Sequence, residues 1–247
     1  MPKVFFSMRR AREEGRTLLA VLLDPDRFSE ERLEALLEQP GIDLFFVGGS
    51  LIAGEGPEPV LKRIRALSSI PTVLFPGSVL QVHPEADALL FLSLISGRNP
   101  ELLIGQHVLA APLIKRSQLE VIPTGYLLVD GGRPTTASYI SGCPPLPHDK
   151  PEIAATTALA GELLGLRALY LDAGSGAERA VSPTMIEAVR HITEAPLIVG
   201  GGIRTPEQAF DAARAGATVV VVGNVLEQDP RLVGSFTQAL APRQRVP

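Results

Sequence analysis

The chain of 247 residues contains no tryptophan, one cysteine, four histidines and few aromatics, which make up 5% of the sequence. A single cysteine, Cys143, rules out an intramolecular disulfide and any cysteine-rich zinc site, and reads as an ordinary loop thiol. The histidines at 83, 107, 148 and 191 have no metal-binding spacing and read as surface or loop residues. Lysine occurs only at 3, 62, 115 and 150, none at the end of a strand candidate, which argues against Schiff-base or lysine-acid chemistry. There is no excess of positive charge: the formal net charge is −4, so the electrostatic footprint of a nucleic-acid binder is missing. No apolar run is long enough to span a bilayer, and the order of basic and apolar residues over 1–23 is not that of a secretory signal. These absences predict a soluble, cytoplasmic protein with at most peripheral membrane contact.

What is present is an ordered core composition, 45% hydrophobic with mean hydropathy +0.21, arranged as short apolar runs alternating with helical patterns. Eight runs read as strands, at 18–23, 43–47, 72–75, 88–92, 120–122, 168–172, 197–199 and 218–222. Several are rich in β-branched residues and end in glycine, the pattern of parallel strands buried on both faces. Ser29 with Glu30 and Glu31 opens a helix to about Glu38. Further helices run from Pro57 to Leu67 and from Pro151 to Leu164, and others start at Pro183 and Pro206. Eight strand–helix units in a chain of this length predict an α/β fold, a single (β/α)8 TIM-barrel domain over 1–247. Two places break the pattern. The stretch FPGSVLQVHPEAD after the third strand is too short and proline-interrupted for a helix, so the third helix is expected to be missing or irregular. The stretch TGYLLVDGGRPTTASYISGCPPLPHD, at 124–149, reads as a long loop, a lid or binding element.

Barrel active sites form at the C-terminal strand ends, and several polar groups fall there. PLIVGGGIRT at 196–205 and TVVVVGN at 218–224 give two successive strand–glycine–helix units, the arrangement of a phosphate site built after strands seven and eight. YLDAGSG at 170–176 offers a Gly-Ser-Gly turn beside Asp172, a candidate general base for an alcohol. Asp24-Pro25-Asp26 ends the first strand, where paired carboxylates suit Mg²⁺, although Asp24 equally suits capping the next turn. Ser50, after Gly48-Gly49, offers a hydroxyl to a metal or a phosphate. Arg98 and Arg204 are candidate anion contacts, Arg204 equally suiting a helix-capping or surface role.

LLDPD, FVGGS, LFPGS, SGRNPELLIGQH, VIPTGYLLVDGG, YLDAGSGA, IVGGGIRTPEQA and VVVGN, spread over about 18–224, resemble the geranylgeranylglyceryl phosphate synthase family and its bacterial heptaprenylglyceryl phosphate synthase relatives. The longer segments look most like the second, often bacterial or hexameric, branch. The resemblance implies a modified barrel lacking a regular third helix. It implies Mg²⁺-dependent transfer of a polyprenyl group, geranylgeranyl being the leading expectation, from its diphosphate to the 3-hydroxyl of sn-glycerol 1-phosphate. By motif position Asp24 and Ser50 would hold Mg²⁺. Tyr170, Leu171, Asp172, Ala173, Gly174, Ser175, Gly176, Gly201, Gly202, Gly223 and Asn224 would bind the glycerol phosphate. Asp172 is then the family's candidate base, at a position where many members carry Glu. FLSLISGRNPELLIG offers an apolar trench for the prenyl chain, and IAATTALAGELLG a flank for subunit contact, consistent with a homo-oligomer, dimer or hexamer. The alternatives are a phosphosugar isomerase or lyase on the same fold, and a phosphoprenyl-binding protein without activity.

Overall fold

Eight short strands pair in parallel in sequence order and close on themselves; the structure is a computed structural model describing residues 4–241. The strands are β1 Leu18–Leu23, β2 Leu44–Val47, β3 Thr72–Leu74, β4 Ala88–Leu94, β5 Glu120–Leu128, β6 Ala168–Asp172, β7 Leu197–Gly200 and β8 Val219–Val222. Closure comes from β8 returning to β1, with Leu18 opposite Val219 and Val21 opposite Val222. The helices are α1 Val4–Glu13, α2 Glu30–Leu37, α3 Glu58–Leu67, α4 Gln106–Ser117, α5 Thr136–Ser141, α6 Pro151–Leu163, α7 Pro183–Ile192, α8 Pro206–Arg214, α9 Asn224–Gln228 and α10 Val233–Leu240. Among the described residues no helix is long and apolar enough to cross a membrane.

The twofold alternation of strand side chains divides the apolar residues into two cores. Ala20, Phe46, Leu90, Ile122, Tyr170, Ile198 and Val221 fill the barrel axis. Their neighbours in sequence, among them Val21, Phe45, Leu89, Leu171, Val199 and Val220, pack outward against the helices. The continuous apolar runs arise because both faces of every strand are covered. Helix α1, which the sequence reading did not anticipate, closes the N-terminal end: Val4, Phe5, Met8 and Ala11 join the inner core. Glu120 at the start of β5 accepts from the Val4 amide at 2.6 Å, and the Arg167 guanidinium lies 3.9 Å over the Phe5 ring. The acidic group thus meets a helix N-terminus, where the dipole favours it.

The expected irregularity after β3 is present. A single 3-10 turn, Val79–Gln81, replaces a helix there. The buried Gln81 side chain holds that connection, accepting from the Gly77 amide and donating to the Gly49 carbonyl. The expected long loop at 124–149 is corrected. Strand β5 continues through Leu128, pairing Leu94 of β4 with Tyr126 and Asp172 of β6 with Leu128. Pro123 and Gly125 read as turn signals, but a Cβ at Gly125 would lie 2.9 Å from Ile95, so glycine there allows close packing inside a strand. Beyond Val129 the segment forms α5, capped reciprocally by Thr135 and Ser138, and a bridge from Val129 to Leu146.

Candidate functional site

Three loops at the C-terminal end form a glycine-rich cradle. The residues after β6 and β7 include Gly174, Gly176, Gly201 and Gly202, all with φ between +72° and +87°, a region that costs other residues strain. At Gly201 a Cβ would stand 2.5 Å from both Asp172 Oδ1 and the Gly174 nitrogen, so the two loops touch there. Gly223 and Asn224 open α9 after β8 and adjoin Leu22 at the end of β1. The Ala173 amide donates to the Gly200 carbonyl and the Gly174 amide to Asp172, so the amides that remain to meet an anion are those further along each loop. Leu171 packs outward toward the helices, and Tyr170 inward on the barrel axis. Ser175 is exposed on the turn.

Asp172 is 6% exposed at the inner rim of this cradle. Its Oδ1 accepts from the Gly174 amide at 2.7 Å and its Oδ2 from the Tyr126 hydroxyl at 2.7 Å. Burial pushes the carboxyl pKa up, and the two hydrogen bonds oppose that shift. Burial and the neighbouring carboxylate hold the phenols of Tyr126 and Tyr170 well above their ordinary range, so both stay protonated donors. Phe75 stacks on Tyr170 at 5.0 Å and meets Tyr126 edge-on at 5.9 Å, giving the carboxylate a wall of three rings. Tyr126 was missed in the sequence because it lay in the stretch read as loop. The inward parity of β5 is the signal that finds it.

Across the mouth, Asp24 terminates β1 and caps the 3-10 turn Pro25–Arg27, accepting from the Asp26 amide at 3.1 Å. The carboxylate pair of the sequence reading separates here. Asp26 accepts from the Ala53 and Gly54 amides at 2.8 and 2.9 Å, which lowers its pKa and ties the β1 loop to the β2 loop. Asp24 keeps a half-exposed carboxylate toward Gly49, with Arg27 3.8 Å from Oδ2. Ser50 lines the adjoining cavity. No group of three or more His, Cys, Asp or Glu is placed to hold a metal ion among the described residues. One carboxylate and a hydroxyl fit Mg²⁺ in the form in which it accompanies phosphates, with few protein ligands and the remainder from substrate and water.

Between these groups and the flank opens an apolar cavity of about 890 Å³, including its open mouth. It lies beside the connection that stands in for the third helix, lined by Pro76, Val79 and Val82 together with Phe75, Tyr126, Phe91, Leu92, Ala110 and Ile114. Leu92, Leu94 and Leu102 of the segment read as a trench do line it.

Three side chains differ from their sequence readings. Arg204 donates to the carbonyls of Ala177 and Glu178, and Arg98 to those of Ile95 and Gly97, so both brace loops instead of facing an anion. His107 is buried, with Nε2 3.1 Å from Ser93 Oγ and its ring edge-on to Phe91, because α4 turns it inward. Cys143, by contrast, is a loop thiol as read, buried beside Leu94 and Leu128.

A polar cradle against Asp172, and an apolar cavity lined by the Tyr126 that is hydrogen-bonded to it, suit an enzyme whose ligands are polar at one end and hydrocarbon at the other. Residues 9–240 match the PcrB family. The chain is 55% identical over 229 residues to the geranylgeranylglyceryl phosphate synthase of Spirosoma linguale, covering 92% of each chain. It is 46% identical to that of Korarchaeum cryptofilum, covering 89% of this chain and 91% of the other. The crystal structure of (S)-3-O-geranylgeranylglyceryl phosphate synthase from Thermoplasma acidophilum in complex with sn-glycerol 1-phosphate superimposes with a TM-score of 0.90 at 31% identity, covering 97% of this chain and 99% of that one. The chain belongs to the PcrB family and is a prenyltransferase.

Proposed function

We propose that the protein joins a polyprenyl group, geranylgeranyl foremost, from its diphosphate to the 3-hydroxyl of sn-glycerol 1-phosphate, with Mg²⁺, releasing diphosphate. The observation that carries this reading is the position of Asp172, buried against the glycine cradle at Gly201 and hydrogen-bonded to Tyr126, whose ring lines the apolar cavity. The loops at 175–176, 201–202 and 223–224 would take the phosphate on backbone amides, leaving the far hydroxyl directed at Asp172. The prenyl chain would lie in the cavity, with its diphosphate at Asp24 and Ser50. Mg²⁺ held there would supply charge neutralisation for the departing diphosphate.

In the transfer, the bond from prenyl C1 to the diphosphate oxygen breaks and its electron pair leaves with the diphosphate. The glycerol oxygen forms the new C–O bond to C1, and the hydroxyl proton passes to Asp172. The aromatic wall of Phe75, Tyr126 and Tyr170 excludes water from the cationic carbon. Exposed apolar residues on α4 and α6, such as Val108, Leu109 and Leu163, support a homo-oligomer, dimer or hexamer.

The test is to supply purified protein and Mg²⁺ with sn-glycerol 1-phosphate and geranylgeranyl diphosphate, following diphosphate release and product mass. Absence of release with every prenyl diphosphate from C15 to C35 defeats the reading.

A further inference from the structure

Glu227 has no part in the reading above, yet it is 7% exposed and joins the turn after β8 to the end of the neighbouring β1. Its Oε1 accepts from the Asp24 backbone amide at 3.2 Å. Its own amide donates to the Gly223 carbonyl at 3.2 Å, within the turn that follows β8. Strand β1 ends at Leu23, so the Asp24 amide is the first after it and finds its acceptor in this side chain. The Asp24 side chain is held from the other direction by the Asp26 amide. Two hydrogen bonds thereby fix both the backbone and the carboxylate of Asp24, one of them supplied from the opposite end of the chain.

We infer that Glu227 is a positioning residue that sets the Asp24 carboxylate from the β8 side, so that divalent-cation binding depends on this hydrogen bond. The inference rests on the reading of Asp24 as a Mg²⁺ ligand. Groups that orient a metal ligand act on affinity for the metal, and their loss costs about tenfold or more.

The experiment compares E227L, E227Q and E227S with the unaltered protein. Mn²⁺ binding in the presence of inorganic diphosphate is measured by electron paramagnetic resonance without turnover, alongside melting temperature and the Mg²⁺ dependence of activity. E227L and the shorter E227S should bind Mn²⁺ about tenfold more weakly and need correspondingly more Mg²⁺. Their KM for sn-glycerol 1-phosphate should stay within about twofold. E227Q, whose amide oxygen still accepts from Asp24, should bind Mn²⁺ within about twofold of the unaltered protein. A purely structural role would lower the melting temperature and leave Mn²⁺ affinity in place in whichever of E227L and E227S folds, and that result overturns the inference. If the unaltered protein binds no Mn²⁺ with diphosphate, the reading of Asp24 falls and the inference with it. If turnover and Mn²⁺ binding are normal but indifferent to residue 227, only the inference falls.

Discussion

The Tyr126 hydroxyl donates a 2.7 Å hydrogen bond to Oδ2 of Asp172, linking neighbouring strands β5 and β6 across the barrel mouth. This bond lowers a carboxyl pKa that burial raises, so it sets how much of Asp172 is ionised and ready to accept a proton. Tyr126→Phe removes the bond and keeps the ring. The acid limb of the pH–rate profile should move to higher pH, and kcat at neutral pH should fall about tenfold, the scale of one charge-assisted hydrogen bond. An unmoved acid limb in Tyr126→Phe would show that Asp172 is not the group titrating in that limb.

Asp172→Asn should separate activity from stability. Because the folded protein raises the carboxyl pKa, it binds this proton more tightly than the unfolded chain does. That stabilising contribution is complete below the unfolded pKa of about 3.9 and is lost as pH rises through the folded value. Asparagine stays neutral and can still accept from Gly174 while donating to Tyr126. The variant should melt above the parent at pH about 8, lose that advantage near pH 3, and transfer prenyl groups at least a hundredfold more slowly. Thermal melts across this range, paired with rate assays, check both halves.

Gly201→Ala tests the cradle. The new methyl would meet Asp172 Oδ1 and the Gly174 nitrogen at 2.5 Å in a backbone with φ +76°. A non-glycine residue in such a conformation costs about 1–3 kcal/mol, and relief of the clash moves the loops apart. The melting temperature should drop by several degrees, about 2–4 °C per kcal/mol for a chain of this size. Calorimetric titration should show weaker sn-glycerol 1-phosphate binding, while KM for the prenyl diphosphate stays within about twofold.

The fold was legible because parallel barrel strands, covered on both faces, leave continuous runs such as LLAVLL, which ends at Asp24, and VVVV, which ends at Gly223. The gap after β3 was equally plain, since no helix fits between Thr72–Leu74 and Ala88–Leu94. Helix α1 and the far half of β5 were not. Residues 4–13 combine three basic residues with a narrow apolar stripe, whose value appears only when it plugs a barrel. In β5, Pro123 and Gly125 imitate a turn locally, and only pairing with β4 on one side and β6 on the other keeps them extended. Candidate site residues at strand ends could be read from position. Hydrogen bonds that divide their roles, such as Asp26 holding Ala53 and Gly54 while Asp24 faces the mouth, depend on loops meeting in space.

Ala110 bears on how long a prenyl chain the cavity admits. It lies on α4, is buried, and lines the cavity with Ile114; α4 runs back from the C-terminal strand ends, which puts both away from the barrel mouth. Ala110→Phe places a ring in space that the chain's far end would occupy, without touching Asp172, Asp24 or the glycine loops. Short donors should be processed nearly as before, because their tails stop short of the ring. Long donors must either fold back or leave apolar carbons in water, at about 0.8 kcal/mol for each CH₂ kept from burial. Three or four displaced carbons therefore suffice to lower kcat/KM by about a hundredfold. A series from C15 to C35 assayed with the parent and the variant should show a loss that grows with donor length. A uniform loss across the series would mean that the prenyl chain takes another path.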